Sequence, residues 1–234
     1  MNQNFVIIVA AGTGSRMNST LPKQFMELVG MPVLMHTIRQ FAEASIHPEI
    51  LVVLSESMLD YWQNLVQEQG FSYPHAVCSG GDTRFQSVKA GISYLQENYT
   101  IQDDAKIAIH DAARPIISDS LINSLFETCN SQHPAVIPAM QSSSSVRLGD
   151  ASNNEAIDRN QVWLVQTPQI FLAGLLSQAY KQAEDPLFTD DASVVEKMSN
   201  SIFIHPGDPK NIKITFNEDI AIAQYYLTSS IQNR

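Results

Sequence analysis

Positive charge is scarce in this chain: 14 Lys and Arg stand against 24 Asp and Glu, a net charge of −10. Nonspecific nucleic-acid binding relies on Lys and Arg to neutralise backbone phosphates. No basic cluster offsets the deficit, so a nucleic-acid partner is not expected. Each cation that falls inside a motif is correspondingly informative. Cysteine is rare too. Cys78 and Cys129 have no metal-site spacing and read as buried thiols of a reducing, cytoplasmic compartment. The apolar run at Phe5 is too short to span a bilayer and lacks a basic leader and a cleavage site, so no membrane role is expected. There is no internal repeat and no sign of a second core. With 44% hydrophobic residues, residues 1–234 are expected to form a single domain.

What is present is organised around Phe5 to Lys23, F-V-I-I-V-A-A-G-T-G-S-R-M-N-S-T-L-P-K. The continuous apolar run from Phe5 to Ala11 suits a strand buried on both faces of a parallel sheet. Gly12-Thr13-Gly14 then lets the backbone turn tightly and brings its N–H groups close to an anion. Arg16 and, behind Leu21-Pro22, Lys23 add two cations. A dinucleotide fingerprint needs a further glycine where Met17 stands. A P-loop needs Lys-Ser or Lys-Thr where Ser15-Arg16 stands. The remaining readings are a triphosphate cradle and a plain β-α turn with solvated cations.

Downstream, Pro32 opens a helix carrying Val33, Leu34, Ile38 and Phe41 to about Ala44. A strand at Ile50–Leu54 follows, then a helix from Ser55 to Gln69 capped by Ser55 or Ser57, then a short strand at His75–Cys78. S-G-G-D-T-R-F-Q-S-V starts the next helix, with Asp82 as its expected cap and Phe85, Val88, Ile92 and Leu95 as its buried stripe. Packing explains the stripe but not the gathering of Asp82, Arg84 and Ser87 at the helix start, where a ligand meets donors and the positive dipole end.

Lys106–Ile109 reads as a buried strand ending in H-D-A-A-R-P. An acidic residue at the carboxyl end of a parallel strand sits where such sheets bind ligands. Asp111 suits Mg²⁺, a hard cation favouring one or two carboxylates plus phosphate oxygens. The alternatives are an N-cap or a partner for Arg114, and His110 reads as structural.

A helix at Ser118–Ser131 and a strand at Ala135–Pro138 follow. Residues 140–163 then change character, with alternating segments around Val146 and from Ala156 to Trp163 on either side of a turn cluster. This reads as a two-stranded arm inserted in the domain. A lone hairpin is unstable in water, so the arm must pack on something: another subunit, or its own. Thr167-Pro168-Gln169 reads as a loop and Leu172–Ala183 as a helix. Thr189 or Asp190 caps the following helix. Ile202–His205 and Asn211–Thr215 read as strands, and Asn217–Leu227 as the closing helix. Strands alternating with helices imply an α/β class with a largely parallel sheet.

Taken together, A-A-G-T-G-S-R-M, L-P-K-Q-F, G-G-D-T-R-F-Q-S-V, H-D-A-A-R-P, D-R-N-Q-V-W, Q-T-P-Q-I-F, T-D-D-A-S and N-I-K-I-T closely resemble the 2-C-methyl-D-erythritol 4-phosphate cytidylyltransferase family, nearly end to end. The resemblance implies a Rossmann-like nucleotidyltransferase fold with a mostly parallel sheet and a protruding β-hairpin dimerisation arm. It also implies a homodimer and Mg²⁺-dependent use of CTP with a polyol phosphate. By the same resemblance Arg16, Lys23, Arg159 and Lys213 are the catalytic set. Ala10, Ala11, Gly12, Thr13, Gly14, Ser15, Gly81, Asp82, Arg84, Ser87 and Ala112 bind the nucleotide. Ser142, Arg114, Thr167 and Thr189 bind the second substrate, and Asp111 binds magnesium. Ser142 stands where relatives carry threonine, and it keeps the hydroxyl. Two rivals remain. D-ribitol-5-phosphate cytidylyltransferases share most of these motifs, though H-D-A-A-R-P and T-D-D-A-S look more like the methylerythritol enzymes. A nucleotide sensor without turnover is the other, and the joint presence of Arg16, Lys23, Asp111 and Lys213 speaks against it.

Overall fold

The computed structural model describes residues 3–12, 21–198 and 200–232. Strand β1 (Asn4–Val9) leads through two short strands, β2 (Glu27–Leu28) and β3 (Met31–Pro32), into helix α1 (Val33–Ala42). Then come β4 (Glu49–Leu54), α2 (Leu59–Glu68), β5 (Ala76–Ser79), α3 (Arg84–Asn98), β6 (Lys106–Asp111), α4 (Asp119–Thr128) and β7 (Ala135–Gln141). The remainder is β8 (Val146–Gly149), β9 (Asn154–Ile157), β10 (Trp163–Val165), β11 (Gln169–Leu172), α5 (Ala173–Ala179), α6 (Asp191–Glu196), β12 (Phe203–Pro206) and α7 (Asn217–Gln232).

Among the described residues the main sheet runs β10-β7-β11-β6-β1-β4-β5, with β12 also on β7. β1 pairs in parallel with β4 and β6, β4 with β5, and β12 with β7; β10 and β11 run the other way. The sheet is therefore mostly parallel, as the alternation of strands and helices predicts. Alternate residues of β1 face opposite layers. Val6 and Ile8 pack with Leu34, Ile38 and Phe41 of α1 and Ile122 and Leu125 of α4. Phe5 and Ile7 pack with Phe85, Val88 and Ile92 of α3 and Leu176 of α5. Burial on both faces is why β1 is an unbroken apolar run, each such side chain contributing about 1.5–3 kcal/mol. α3 comes close because residue 91 is glycine: a Cβ there would lie 2.9 Å from Ile7 Cγ2.

Chain order reverses at β1. From it the chain steps outward to β4 and β5, then returns to place β6 on the other side of β1. In open α/β sheets, ligands bind outside the carboxyl ends of the strands at such a reversal. Register sets Val9 opposite Asp111, so the ends of β1 and β6 coincide.

Several local expectations are corrected. Thr83, not Asp82, caps α3, its side chain accepting from Gln86 N–H, while Gln86 Oε1 takes the Asp82 N–H. Neither Ser55 nor Ser57 caps α2; a 3₁₀ turn at Glu56–Met58 intervenes. Asp190 caps α6 in a reciprocal capping box with Ser193. The stretch read as a loop running into a helix contains β11, antiparallel between β6 and β7. Four residues following a proline are too few to show a periodicity. The second alternating segment of the arm is interrupted by a 3₁₀ turn at Arg159–Gln161, and Trp163–Val165 rejoins the main sheet. Only β8 and β9 form the detached hairpin. Asn211–Thr215 forms no strand ladder, so it is not the expected last strand.

Candidate active site

Beyond β1 the chain continues as Ala10-Ala11-Gly12, tied to β4 by Ala10 N–H donating to Val53 O at 2.8 Å. The carboxamide of Gln24 holds this turn: its Nε2 donates to Ala10 O at 2.6 Å and to Gly12 O at 3.0 Å. Gln24 belongs to the 3₁₀ turn Lys23–Phe25, which Phe25 anchors by burying its ring against Tyr61 and Trp62. The same anchor fixes Lys23, whose Nζ donates to Ile214 O at 2.8 Å. Sequence reasoning passed over Gln24 because a glutamine beside a lysine carries no spacing signal. Thr13, Gly14, Ser15 and Arg16 lie outside the described residues.

Asp111 ends β6 and faces three cations. Lys213 Nζ lies 2.8 Å from its Oδ2, Arg114 Nε 3.6 Å from the same oxygen, and Arg84 Nε 3.7 Å from Oδ1. Arg84 also makes a fork-on-fork pair with Asp191, Nη1 to Oδ1 at 2.9 Å and Nη2 to Oδ2 at 2.6 Å, and Tyr180 donates its hydroxyl to Asp191 at 2.6 Å. Burial pushes the Asp111 carboxyl up, but Arg84, Lys213 and Arg114 outweigh it and hold the group well below the usual carboxylate range. Three cations facing two carboxylates leave the site positive before Lys23 is added, although the chain as a whole is acidic. That is a local field for an anionic ligand.

Behind Asp111 lies a neutral support. Asp111 N–H donates to Thr167 Oγ1 at 3.0 Å, and Thr167 Oγ1 lies 3.2 Å from His110 Nδ1. His110 Nε2 is 3.1 Å from Arg114 O, a pure acceptor, so Nε2 carries the proton and Thr167 donates to Nδ1. Burial lowers the His110 pKa to about 4, which keeps this ring neutral.

The structure gathers ten of the expected residues around one pocket. Ala10, Ala11, Gly12, Lys23, Gly81, Arg84, Ser87, Asp111, Ala112 and Lys213 line it, together with Gln24, Ala113 and Thr215, which were not expected. Ser87 is a wall rather than a free hydroxyl, since its Oγ is 2.9 Å from Thr83 O and 3.2 Å from Gly81 O. Asp82 is exposed and off the pocket wall. Arg114 and Thr167 are buried behind Asp111 rather than on the wall. Thr189 is exposed at the cap of α6, its N–H bonded to Ser193 Oγ. Ser142 and Arg159 lie at the root of the arm, away from this pocket, with Arg159 Nη1 donating to Ser143 O at 3.0 Å.

A doubly wound sheet that meets a glycine turn, a lysine and a cation-ringed carboxylate at its switch point is the arrangement of a nucleotidyltransferase. Residues 4–229 match the family model described as IspD, 2-C-methyl-D-erythritol 4-phosphate cytidylyltransferase, and the chain belongs to that family. A relative of that name from Bacteroides thetaiotaomicron is 41% identical over 222 residues, covering 95% of this chain and 98% of the relative. One from Bacteroides fragilis is 41% identical over 221 residues, covering 94% and 98%. Among solved structures, a 4-diphosphocytidyl-2C-methyl-D-erythritol synthase superposes with TM-score 0.82 at 29% identity, covering 97% of this chain and 99% of the other. The Francisella tularensis 2-C-methyl-D-erythritol 4-phosphate cytidylyltransferase gives 0.76 at 30%, covering 95% and 99%. Among the described residues no helix is long and apolar enough to cross a membrane.

Proposed function

We infer that this chain carries out the reaction its family is named for, a step of non-mevalonate isoprenoid biosynthesis. The cytidylyl group of CTP passes to 2-C-methyl-D-erythritol 4-phosphate. A phosphomonoester oxygen of the acceptor attacks the α-phosphorus, the bond from that phosphorus to the β-phosphate's bridging oxygen breaks, and pyrophosphate leaves with the electron pair. Such transfers depend on positioning and charge neutralisation more than on covalent catalysis. The observation that carries the reading is the conjunction of Lys23, Lys213 and Asp111 around one pocket at the β1–β6 switch point.

In this reading Lys23, with Arg16, neutralises charge that builds on the α-phosphoryl oxygens and the departing pyrophosphate. Ala10, Ala11, Gly12, Thr13, Gly14 and Ser15 give backbone N–H groups to the phosphates. Gly81, Arg84, Ser87 and Ala112 form the cytidine side. Lys213 holds the acceptor's phosphate, and Arg114 and Thr167 act on it through Asp111.

Mg²⁺ is assigned to Asp111. The donor set fits a metal only as a shared site: among the described residues no group of three or more His, Cys, Asp or Glu converges. One carboxylate must therefore be completed by phosphate oxygens, which is how Mg²⁺ is usually held. Bound there, the cation would neutralise charge on the triphosphate.

The same reading makes the protein a cytoplasmic homodimer, with residues 140–163 as an arm reaching a second copy. Exposed apolar Leu148, Trp163, Leu164 and Val165 on and beside the arm support the contact. Both cysteines are free thiols, as a reducing compartment requires. Pyrophosphate release from CTP, assayed with 2-C-methyl-D-erythritol 4-phosphate and with D-ribitol 5-phosphate, tests the assignment. Release with the first and not the second is expected; release with the second alone, or with neither, overturns it.

A further inference from the structure

Lys213 reaches Asp111 from a segment that no strand ladder holds. Between β12 and α7, residues 208–215 pass through a turn, Asn211 N–H donating to Asp208 O at 3.0 Å, and pair with no strand. A lysine on an unsupported loop would lose its position and part of its value to the reaction. Side chains take the place of the missing ladder. Gln166 Nε2 donates to Asp208 O at 2.8 Å, and Gln166 Oε1 accepts from Asp208 N–H at 3.1 Å. This is the two-bond exchange that one strand residue makes with another, performed here by a carboxamide. Asn211 is fully buried, and its Nδ2 donates to Thr167 O at 2.9 Å. Arg114 Nη1 donates to Asn211 O at 2.8 Å, and Ile214 N–H to Ala113 O at 2.8 Å. Lys213 is thus held between two buried residues, Asn211 and Ile214, and points out to Asp111.

We propose that Gln166 is a positioning residue for Lys213, its carboxamide locking the 208–215 segment so that the ammonium stands over Asp111. Two features make the lock specific. Gly207 leaves room for it, since a Cβ there would lie 2.5 Å from Gln166 Oε1 and 3.2 Å from the Ala139 backbone. Gln166 is itself fixed, its N–H donating to Pro138 O at 2.8 Å where the chain leaves β10. Gln166 is buried off the pocket wall and acts only through the segment. The inference rests on the acceptor-phosphate role given above to Lys213.

Gln166→Met keeps the length and removes all three carboxamide hydrogen bonds, the third being Nε2 to Asn211 O at 3.4 Å. It should raise KM for the polyol phosphate about ten-fold and leave KM for CTP within about two-fold. Combined with Lys213→Ala, it should add nothing to the loss that Lys213→Ala causes alone, because the two act on one step. A merely structural role would instead raise both KM values or multiply fully with Lys213→Ala, and either result overturns the proposal. Normal kinetics in Gln166→Met beside a crippled Lys213→Ala overturns it too, while sparing the role of Lys213. If Lys213→Ala is itself normal, the reading of Lys213 fails and this inference falls with it. Should Gln166→Met not fold, Gln166→Asn draws the carboxamide back from the Asp208 and Asn211 backbone and makes the same predictions.

Discussion

Lys213 Nζ and Asp111 Oδ2 lie 2.8 Å apart, and the same oxygen is 3.6 Å from Arg114 Nε. With Arg84 Nε 3.7 Å from its Oδ1, this one carboxylate anchors three cations and is the proposed metal ligand as well. Asp111→Asn should have two effects, of which a pure ligand would show only the first. Mg²⁺ titration should lose its effect on activity, since a neutral amide is a poor ligand for so hard a cation. Stability should also fall, by roughly 3–5 kcal/mol, because buried Arg114 loses its counter-ion. Denaturant midpoints and Mg²⁺ titrations on one preparation separate the two. A variant that titrates with Mg²⁺ like the parent removes Asp111 from the metal site.

Lys23 has a milder structural part and a sharper chemical one. Its bond to Ile214 O at 2.8 Å is partly buried. Lys23→Ala should therefore cost about 1 kcal/mol of stability. Its kcat should drop by roughly two orders of magnitude or more if the ammonium neutralises charge in the transition state. Near-normal kcat would remove Lys23 from the mechanism.

Gln24 pins the carbonyls of Ala10 and Gly12. In a trans peptide the carbonyl and the following N–H point opposite ways, so pinning the Ala10 carbonyl aims the Ala11 N–H. Gln24→Met, near in size but without donors, should weaken CTP binding about ten-fold with little change for the polyol phosphate. Calorimetric titration of CTP measures this, and parental affinity would mean that the turn holds itself.

The contrast between Gln24 and Phe5–Val9 shows what the sequence could reveal. A strand buried on both faces, or a helix stripe such as Phe85, Val88, Ile92 and Leu95, repeats one physical demand over many positions and is legible. So are glycine turns, and a carboxylate at a strand end. Gln24, Gln166 and Asn211 each satisfy backbone atoms distant in sequence, a demand that leaves no local pattern. β11 was hidden for a related reason: its strand character comes from β6 and β7 on either side, not from its four residues. Asp82 and Thr83 are both good caps, and only geometry chooses between neighbours.

Three histidines, His36 and His110 buried and His75 half-buried, give the fold a pH dependence. His36 Nδ1 accepts from Arg39, His75 Nε2 accepts from Trp62 at 3.1 Å, and His110 Nδ1 accepts from Thr167. Each arrangement needs a ring nitrogen without a proton. Burial lowers all three pKa values, that of His110 to about 4. In the unfolded chain they titrate near 6.5, so there the unfolded state binds more protons as the pH falls. Their contribution should be complete above about pH 6.5 and lost as the pH falls towards 4, with His110 alone worth ~3 kcal/mol. Urea midpoints at pH 7.5 and pH 5 measure it above the range where carboxylates titrate. A flat profile between those two values would contradict it.

Arg159 sits in the 3₁₀ turn at the root of the arm, exposed, with one bond to Ser143 O, and is not on the wall of its own pocket. An arginine fork can grip a phosphate through two parallel hydrogen bonds. Detached β8–β9 is not stable as a lone hairpin, so a second copy is the natural surface for it. The arm should then carry Arg159 into the neighbouring subunit's acceptor site, while a hairpin resting on its own subunit would leave it solvated. On the first arrangement, Arg159→Ala raises KM for the polyol phosphate by about ten-fold or more and leaves CTP binding unchanged. Mixed dimers of Arg159→Ala and Lys23→Ala subunits decide between the two. If the site is shared, one of the two sites in a mixed dimer carries both defects and the other carries neither, so activity partly returns. If each subunit supplies its own arginine, every site keeps one defect and mixing restores nothing. Mass spectrometry of the mixture establishes subunit exchange, and with exchange proven, an unrestored rate rules out the arm as a donor of Arg159.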